Sequence, residues 1–307
     1  MICFETIHPG PLIGKEFEPC FYLQALGCRH LIERGGNFFP LKFRDDLDSS
    51  LQLSDSEPRF NFTSKAASYV RFVEVQGAQL FFHAAAILHA FNFGVENAGA
   101  LRQDWPRIPL PATRELLEHS AALGEQLAAL MDVEKPVPGV TSGKVRDDLR
   151  EIGVIARVGG GSLDPAKREL ALTAGWGHGG KGGVTMPGKG KLVVRVVGDL
   201  SANPHPGPLP GGEGTDQRVV DVYLNGVAHW KNIPEPVWEF TLGGYQVMKK
   251  WLSYREHALL GRDLTIDEAK YFTEMARRIA AILALGAELD ANYQAVKGNA
   301  YAWPKQV

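Results

Sequence analysis

A run rich in glycine and lysine, from Thr173 to Lys191, is the feature that most restricts how this chain can fold. Its closely spaced glycines, together with Pro187, prevent the run from forming a helix. Every charged side chain from 174 to 197 is a cation, with no acid beside it: Lys181, Lys189, Lys191 and Arg195. A surface of this kind suits a polyanionic partner.

Two interpretations of the run stay open. In one, it is a mobile hairpin loop between a strand near 169–173 and a strand near 192–197, and its glycines serve turn geometry only. In the other, the glycines let the backbone approach a sugar-phosphate chain while the lysines neutralise it. Gly175, Gly180 and Lys181 have the spacing of a nucleotide-binding P-loop, but Gly182 stands where that motif needs Ser or Thr.

The segment from Val237 to Arg255 is the second constraint on the fold. It predicts a short strand that turns through Gly243 and Gly244 into a basic, aromatic helix. For Trp251 the interpretation we favour is packing of the helix against its neighbours. For Lys249 and Lys250, a solvated helix face and a contact with nucleic acid are both open.

The first part of the chain predicts strands followed by helices. Residues 2–43 alternate short apolar runs with glycine and proline, which is typical of strands and turns. A helix over 77–91 is apolar on nearly all sides, and Thr113 caps a second helix over 114–131. Prolines and glycines in 133–143 mark a domain boundary.

The second part predicts a short helix or a helix-strand pair over 145–158 and a hairpin over 219–230 that turns at Asn225-Gly226. Thr265 and Glu268 form a capping box for a helix that reaches about 285, where Gly286 is expected to end it. Residues 202–215 are dense in proline and glycine and resemble a translated dispersed repeat, so we expect a disordered insert there.

These elements predict an α+β fold of two packed units, 1–132 and 144–307, with short, mostly antiparallel strands and segregated helices. The formal net charge of -2 means that any surface for nucleic acid must be local. The cysteines, at 3, 20 and 28, lack zinc-site spacing, and no motif for a catalytic nucleophile or phosphoryl transfer occurs. With no leader and no apolar run of membrane-spanning length, we expect a cytoplasmic protein without a membrane partner.

The long motifs resemble the C-terminal target-recognition region of type ISP restriction-modification enzymes and their methyltransferase relatives. The resemblance covers nearly the whole chain outside the insert. It is carried by five segments, Phe38–Leu41, Glu96–Pro111, Ala174–Lys191, Asp221–Asn225 with Trp230, and Val237–Glu256.

This resemblance implies a parent enzyme with a nuclease, a helicase-like ATPase and an adenine-N6 methyltransferase, which together use S-adenosylmethionine, ATP and Mg. The catalytic motifs of those parts do not occur here. We therefore expect this chain to bind no cofactor and to have the missing methyltransferase domain as its partner. The chain is then a reader of double-stranded DNA. Tyr245 and Gln246 are candidates for base contact. The candidates for phosphate contact are Lys181, Lys189, Lys191, Lys249, Lys250 and Arg255. Arg195 is a further candidate for DNA binding.

Two alternatives to an independent reader stay open. In one, the chain takes part in adenine-N6 methylation of DNA only when a partner chain supplies the catalytic domain. In the other, it is a degenerate fragment with a buried core and no partner.

Overall fold

The computed structural model describes residues 3–6, 21–23, 37–43, 59–197, 217–242 and 245–304. The predicted insert at 202–215, the glycine pair at 243–244, Cys20 and Cys28 lie outside the described residues. The described elements are short antiparallel strands in small sheets, together with helices, which confirms the α+β prediction.

The chain divides into two compact units between Lys135 and Pro136, and the first unit also takes in the C-terminal residues Leu285–Val307. The sequence placed those last residues with the second half of the chain. They join the first unit because the C-terminal helix packs against helices near residues 77–131, where it buries Leu289, Tyr293 and Val296. An apolar stripe of this kind shows that a helix is buried but not which neighbour covers it.

The first unit contains a three-stranded antiparallel sheet of order β2-β1-β3 and a two-stranded pairing of β4 with β5. The strands are β1 (Cys3–Thr6), β2 (Phe21–Leu23), β3 (Asn37–Pro40), β4 (Lys42–Phe43) and β5 (Arg59–Phe60). The helices are α1 (Ser64–Phe72), α2 (Gly77–Leu88), α3 (Phe91–Glu96), α4 (Ala98–Leu101), α5 (Arg114–Met131) and α11 (Gly286–Gly298).

The predicted helix over 114–131 is confirmed, and the hydroxyl of Thr113 accepts the N–H of Leu116 at its start. The predicted helix over 77–91 is shorter than expected, because Ala90 takes an extended conformation and separates α2 from α3. Helices α2 and α5 pack closely at Gly124, where a Cβ atom would lie 1.9 Å from the carbonyl oxygen of Phe82. Glycine is required there for steric reasons.

The second unit is built on a four-stranded antiparallel sheet of order β6-β11-β10-β9. Its strands are β6 (Val154–Arg157), β7 (Gly177–Gly179), β8 (Thr185–Pro187), β9 (Leu192–Val197), β10 (Gln217–Tyr223), β11 (Ala228–Pro234), β12 (Thr241–Leu242) and β13 (Tyr245–Gln246). Its helices are α6 (Asp147–Arg150), α7 (Glu235–Glu239), α8 (Val247–Ser253), α9 (His257–Leu260) and α10 (Ile266–Ala284).

The hairpin predicted at Asn225-Gly226 is confirmed, with Val222 opposite Trp230. The side-chain oxygen of Asn225 accepts the N–H groups of Val227 and Ala228 and so closes the turn. Trp230 is fully buried beneath α10, where its indole N–H donates to the carbonyl of Ala269. This contact fixes the sheet against α10.

Helix α10 begins as predicted, because Thr265 and Glu268 exchange the two hydrogen bonds of a capping box. The prediction that Gly286 ends this helix is wrong. Leu285 keeps right-handed helical angles between α10 and α11, and Gly286 is the first residue of α11. Gly286 is absent from the positive-φ residues, so it provides no left-handed cap.

A buried polar network joins three helices of the first unit. His83 on α2 lies 2.9 Å from the carbonyl oxygen of Pro109 through Nε2 and 2.7 Å from the hydroxyl of Ser120 through Nδ1. Because a carbonyl only accepts, Nε2 carries the proton and Ser120 donates to Nδ1. The amide of Asn292 on α11 donates to the same hydroxyl, so the imidazole is held in its neutral form.

Burial lowers the pKa of His83 from 6.5 to about 4, against a smaller opposing effect of the Pro109 hydrogen bond. Between these values the unfolded chain binds a proton that the folded chain excludes, so the stability is complete above pH 6.5 and is lost as the pH falls toward 4. We expect this site to contribute about 3 kcal/mol of pH-dependent stability. Urea denaturation at pH 7 and pH 4.5 should show a smaller difference in His83→Gln than in the wild type.

The matched control is His119→Gln, since His119 is exposed on the same α5 helix that carries Ser120. This variant should keep the wild-type difference. Equal pH dependence in His83→Gln and the wild type would show that His83 is not the group responsible.

Candidate nucleic-acid interface

The glycine- and lysine-rich run, called here the Gly-Lys loop and comprising residues 174–191, contains a hairpin of its own. Strand β7 pairs with β8, and a 3-10 turn, Lys181–Gly183, lies between them. In a P-loop, a helix follows the lysine, whereas strand β8 follows this turn. Strand β9 follows the loop, as the sequence predicted.

The predicted strand over 169–173 does not form. The carbonyls of Glu169 and Ala171 accept hydrogen bonds from the side-chain amide of Asn225, and the carbonyl of Leu172 accepts the N–H of His257. Side-chain and loop partners therefore satisfy this backbone in place of a strand ladder. An apolar run that is buried without ladder pairing has the same sequence pattern as a buried strand.

Glycines at the base of the Gly-Lys loop are required by packing. A Cβ atom on Gly177 would lie 1.9 Å from the carbonyl oxygen of Ser253, and one on Gly190 would lie 2.1 Å from the ring of Trp176. Gly182 and Gly183 at the tip have φ values of 75° and 79°, and a Cβ atom there would meet nothing within 4 Å. The base glycines thus serve internal packing, and the tip glycines serve turn geometry.

Trp176 and Glu256 fix the base of the loop to the segment that joins α8 to α9. The buried carboxylate of Glu256 accepts the N–H groups of Gly175 and Trp176 at 3.0 and 2.8 Å. Trp176 is fully buried, and its indole N–H donates to the carbonyl of Tyr223. Both strands of the loop hairpin contact α8, so the two segments singled out from the sequence are brought together.

Three predicted phosphate ligands lie on the Gly-Lys loop, and all three side chains are exposed. Lys191 extends over the ring of Tyr223, with Nζ 4.3 Å from the ring centroid. In the part of the chain that the structure describes, no carboxylate forms an ion pair with Lys181 or Lys189. Their charges are available to an anionic partner.

Arg195 is held differently from these lysines. Its guanidinium forms two hydrogen bonds with Asp221, at 2.8 and 2.7 Å, and one with the side-chain oxygen of Asn232. The hydrogen bonding with Asp221 raises the pKa of Arg195. Its contact with DNA stays a prediction, but a guanidinium already bound to a carboxylate has less charge to offer a phosphate than Lys181 or Lys189.

The segment from Val237 to Arg255 differs from its predicted strand-turn-helix form. Val237 to Glu239 belong to α7, strand β12 begins only at Thr241, and α8 begins at Val247. Tyr245 and Gln246 form strand β13, and Gln246 is also the N-cap residue of α8. The amide of Gln246 donates to the carbonyl of Trp238 at 2.6 Å, and this bond joins α7 to the start of α8.

The helix α8 carries its cations among aromatic rings. Lys250 lies between Tyr245 and Tyr254, while the guanidinium of Arg255 lies 4.1 Å from the Trp251 ring centroid. Trp251 also packs against the rings of Tyr271 and Phe272, in agreement with the packing interpretation favoured from the sequence. In the described part of the chain, Lys249 forms no ion pair.

The described side chains of this arrangement are cations and aromatic rings, held by the carboxylates of Glu256 and Asp221. Among the described residues, no cluster of His, Cys, Asp or Glu is arranged to hold a metal ion. No helix in the same residues has the length and apolar character needed to cross a membrane. Glu256 holds the loop and Asp221 holds Arg195. Both lie in segments that carry the resemblance, but sequence reasoning gave neither a role, because the partner of each is distant in the chain.

Residues 7–282 match the family model of the Type ISP C-terminal specificity domain. Two solved structures share the fold. One is a cryo-EM structure of a DrdV-DNA complex, with a TM-score of 0.54 and 16% identity over 94% of this chain and 24% of that chain. The other is the ATP-dependent Type ISP restriction-modification enzyme LlaBIII bound to DNA, with a TM-score of 0.52 and 14% identity over 95% of this chain and 16% of that chain.

The chain therefore spans at most about a quarter of the length of these two structures. No curated protein is significantly similar to it.

The pairing of Glu256 with the loop generates a stability prediction. In Glu256→Gln the side-chain oxygen can accept only one of the two N–H groups, and the amide NH₂ faces the other donor. We expect a loss of about 1–3 kcal/mol in the free energy of unfolding and faster amide hydrogen exchange at Gly175 and Trp176. Glu239→Gln, an exposed glutamate on α7, is the matched control and should change neither quantity. Unchanged exchange at both amides in Glu256→Gln would contradict the anchoring role of Glu256.

Proposed function

The chain belongs to the Type ISP C-terminal specificity domain family, and from this premise we propose that it recognises a specific sequence of double-stranded DNA. The observation that carries the proposal is the contact between the Gly-Lys loop and α8. Five lysines of these two segments form no ion pair within the described residues: Lys181, Lys189, Lys191, Lys249 and Lys250. Both solved structures with this fold are complexes with DNA, which supports the same partner for this chain.

The lysines of the Gly-Lys loop supply the sequence-independent part of binding. Lys181, Lys189 and Lys191 are exposed on a loop whose base is fixed, so they neutralise phosphates without disturbing the fold. Each neutralised phosphate releases condensed counterions, which makes the affinity fall steeply with salt. Such contacts set the register of the domain on the duplex and carry no base information directly.

The start of α8 supplies the part of binding that depends on sequence. Tyr245 is 40% exposed two residues before the helix, and Lys249 and Lys250 are the third and fourth residues of the helix. Side chains at a helix start can reach base edges in the major groove while neighbouring residues contact the backbone. Gln246 contributes less in this scheme, because its amide is bound to the carbonyl of Trp238.

In this proposal, a separate catalytic domain carries out methyl transfer. We propose that this chain positions such a domain on DNA, as its resemblance to the recognition region of the parent enzymes implies. S-adenosylmethionine, ATP and Mg would then bind to the catalytic parts, and no step of the chemistry would use a residue of this chain.

A salt titration tests DNA binding. The affinity of the purified chain for a random-sequence duplex should fall steeply as salt rises. The triple variant Lys181→Ala, Lys189→Ala, Lys191→Ala should flatten the slope of log affinity against log salt by roughly two to three units.

The control is a second triple variant with the same change in charge outside the Gly-Lys loop and α8, namely Lys65→Ala, Lys144→Ala, Lys270→Ala. All three of these lysines are exposed. The control should keep the wild-type slope. An unchanged slope in the loop variant would remove the loop from the interface, and no binding by the wild type at low salt would contradict the proposed function.

A further inference from the structure

Lys250 differs from the other cations of the site because two tyrosine rings hold its ammonium group. The Nζ atom lies 4.3 Å from the ring centroid of Tyr245 and 5.0 Å from that of Tyr254. Both distances are within the range in which a cation is attracted to the face of an aromatic ring. The rings themselves are 40% and 49% exposed, so the group lies at the surface.

This arrangement fixes the lysine before any partner arrives. A free lysine side chain loses rotamer entropy on binding, and much of that loss has already occurred where aromatic rings hold the side chain. Lys249, the preceding residue on α8, contacts no ring at such a distance within the described residues. Lys249 and Lys250 thus carry the same charge, but the side chain of Lys250 is held in place before a partner binds and that of Lys249 is not.

The rings hold Lys250 without neutralising it. In the described part of the chain, no carboxylate is paired with its ammonium. Arg255, one turn further along, lies over Trp251 and 3.5 Å from Glu268, so its charge is partly compensated. Lys250 is therefore the α8 cation that is both fixed in position and uncompensated, and this combination suits discrimination between bases.

We propose, on the basis of the DNA-recognition function above, that Lys250 is a specificity-determining residue that reads a guanine. An ammonium group has three donors and no acceptor. In the major groove, guanine presents two adjacent acceptors, O6 and N7. Adenine places an amino donor beside its N7, cytosine presents an amino donor, and thymine presents one acceptor, O4, beside its methyl group. A fixed ammonium is therefore best matched by guanine. Tyr245 and Tyr254 act as positioning residues.

The test is selection of bound sequences from a random duplex pool by three proteins: the wild type, Lys250→Ala and Lys249→Ala. The wild type should enrich a motif with at least one strongly required guanine. In Lys250→Ala the preference for guanine at one position should fall about tenfold or more, while the other positions are kept. Lys249→Ala should keep the whole motif and lower the salt slope by about one unit.

A second variant, Tyr245→Leu with Tyr254→Leu, separates positioning from charge. It keeps every cation, so its salt slope should match the wild type, but its guanine preference at the same position should weaken. Thermal unfolding followed by circular dichroism checks that each variant is folded; since both tyrosines are exposed, we expect little change.

Three results would overturn the assignment: a wild-type motif without a required guanine, an unchanged motif in Lys250→Ala, or the same uniform loss of affinity in Lys249→Ala and Lys250→Ala. Each of these leaves the proposed function standing, since the chain still binds DNA. Absence of any salt-dependent binding by the wild type would instead remove the proposed function and this inference together.

Discussion

The carboxylate of Glu256 connects the two halves of the candidate interface. It is buried between α8 and α9, where it accepts two backbone N–H groups from the base of the Gly-Lys loop. Hydrogen bonds to an ionised acceptor are stronger than those between neutral groups, and the loss of one partner leaves a buried donor unsatisfied. Trp176 reinforces this junction, since its ring packs against Trp238 and lies over Gly190. The exposed lysines of the loop thus project from a fixed base.

The cations of the candidate interface are of two kinds. Some hold the fold together, and others remain available to bind an anionic partner. The guanidinium of Arg195 binds Asp221 and Asn232 across the sheet, and Arg255 lies between Trp251 and Glu268. Lys181 and Lys189 are exposed. Charge counted along the sequence treats these residues as equal, whereas their environments differ. A balanced net charge of -2 is therefore compatible with a local basic surface.

Local signals predicted the elements that depend on neighbouring residues. The cap at Thr113, the hairpin at Asn225-Gly226 and the capping box of Thr265 and Glu268 each involve residues within four positions of one another, so they are visible in the sequence. The absence of a strand over 169–173 depends on Asn225, more than fifty residues away. The placement of α11 in the first unit likewise depends on distant partners.

The sequence likewise predicted some parts of the candidate site and not others. The sequence identified the Gly-Lys loop and the basic helix because both have unusual composition over many residues. It did not identify Glu256, since a single glutamate after an arginine has no distinctive pattern and its role comes from N–H groups about eighty residues earlier. The sequence also could not distinguish Lys250 from Lys249, because the rings that hold Lys250 lie on either side of it in the chain and only the backbone geometry brings them to its ammonium.

The most direct test of the account is amide hydrogen exchange of the chain with and without a bound duplex. If the Gly-Lys loop and α8 form one DNA-reading surface, duplex should slow exchange in residues 177–189 and 245–255 together, while α2 and α5 in the first unit keep their rates. Slowing in only one of the two segments, or only in residues outside both, would contradict the claim that they act as a single interface.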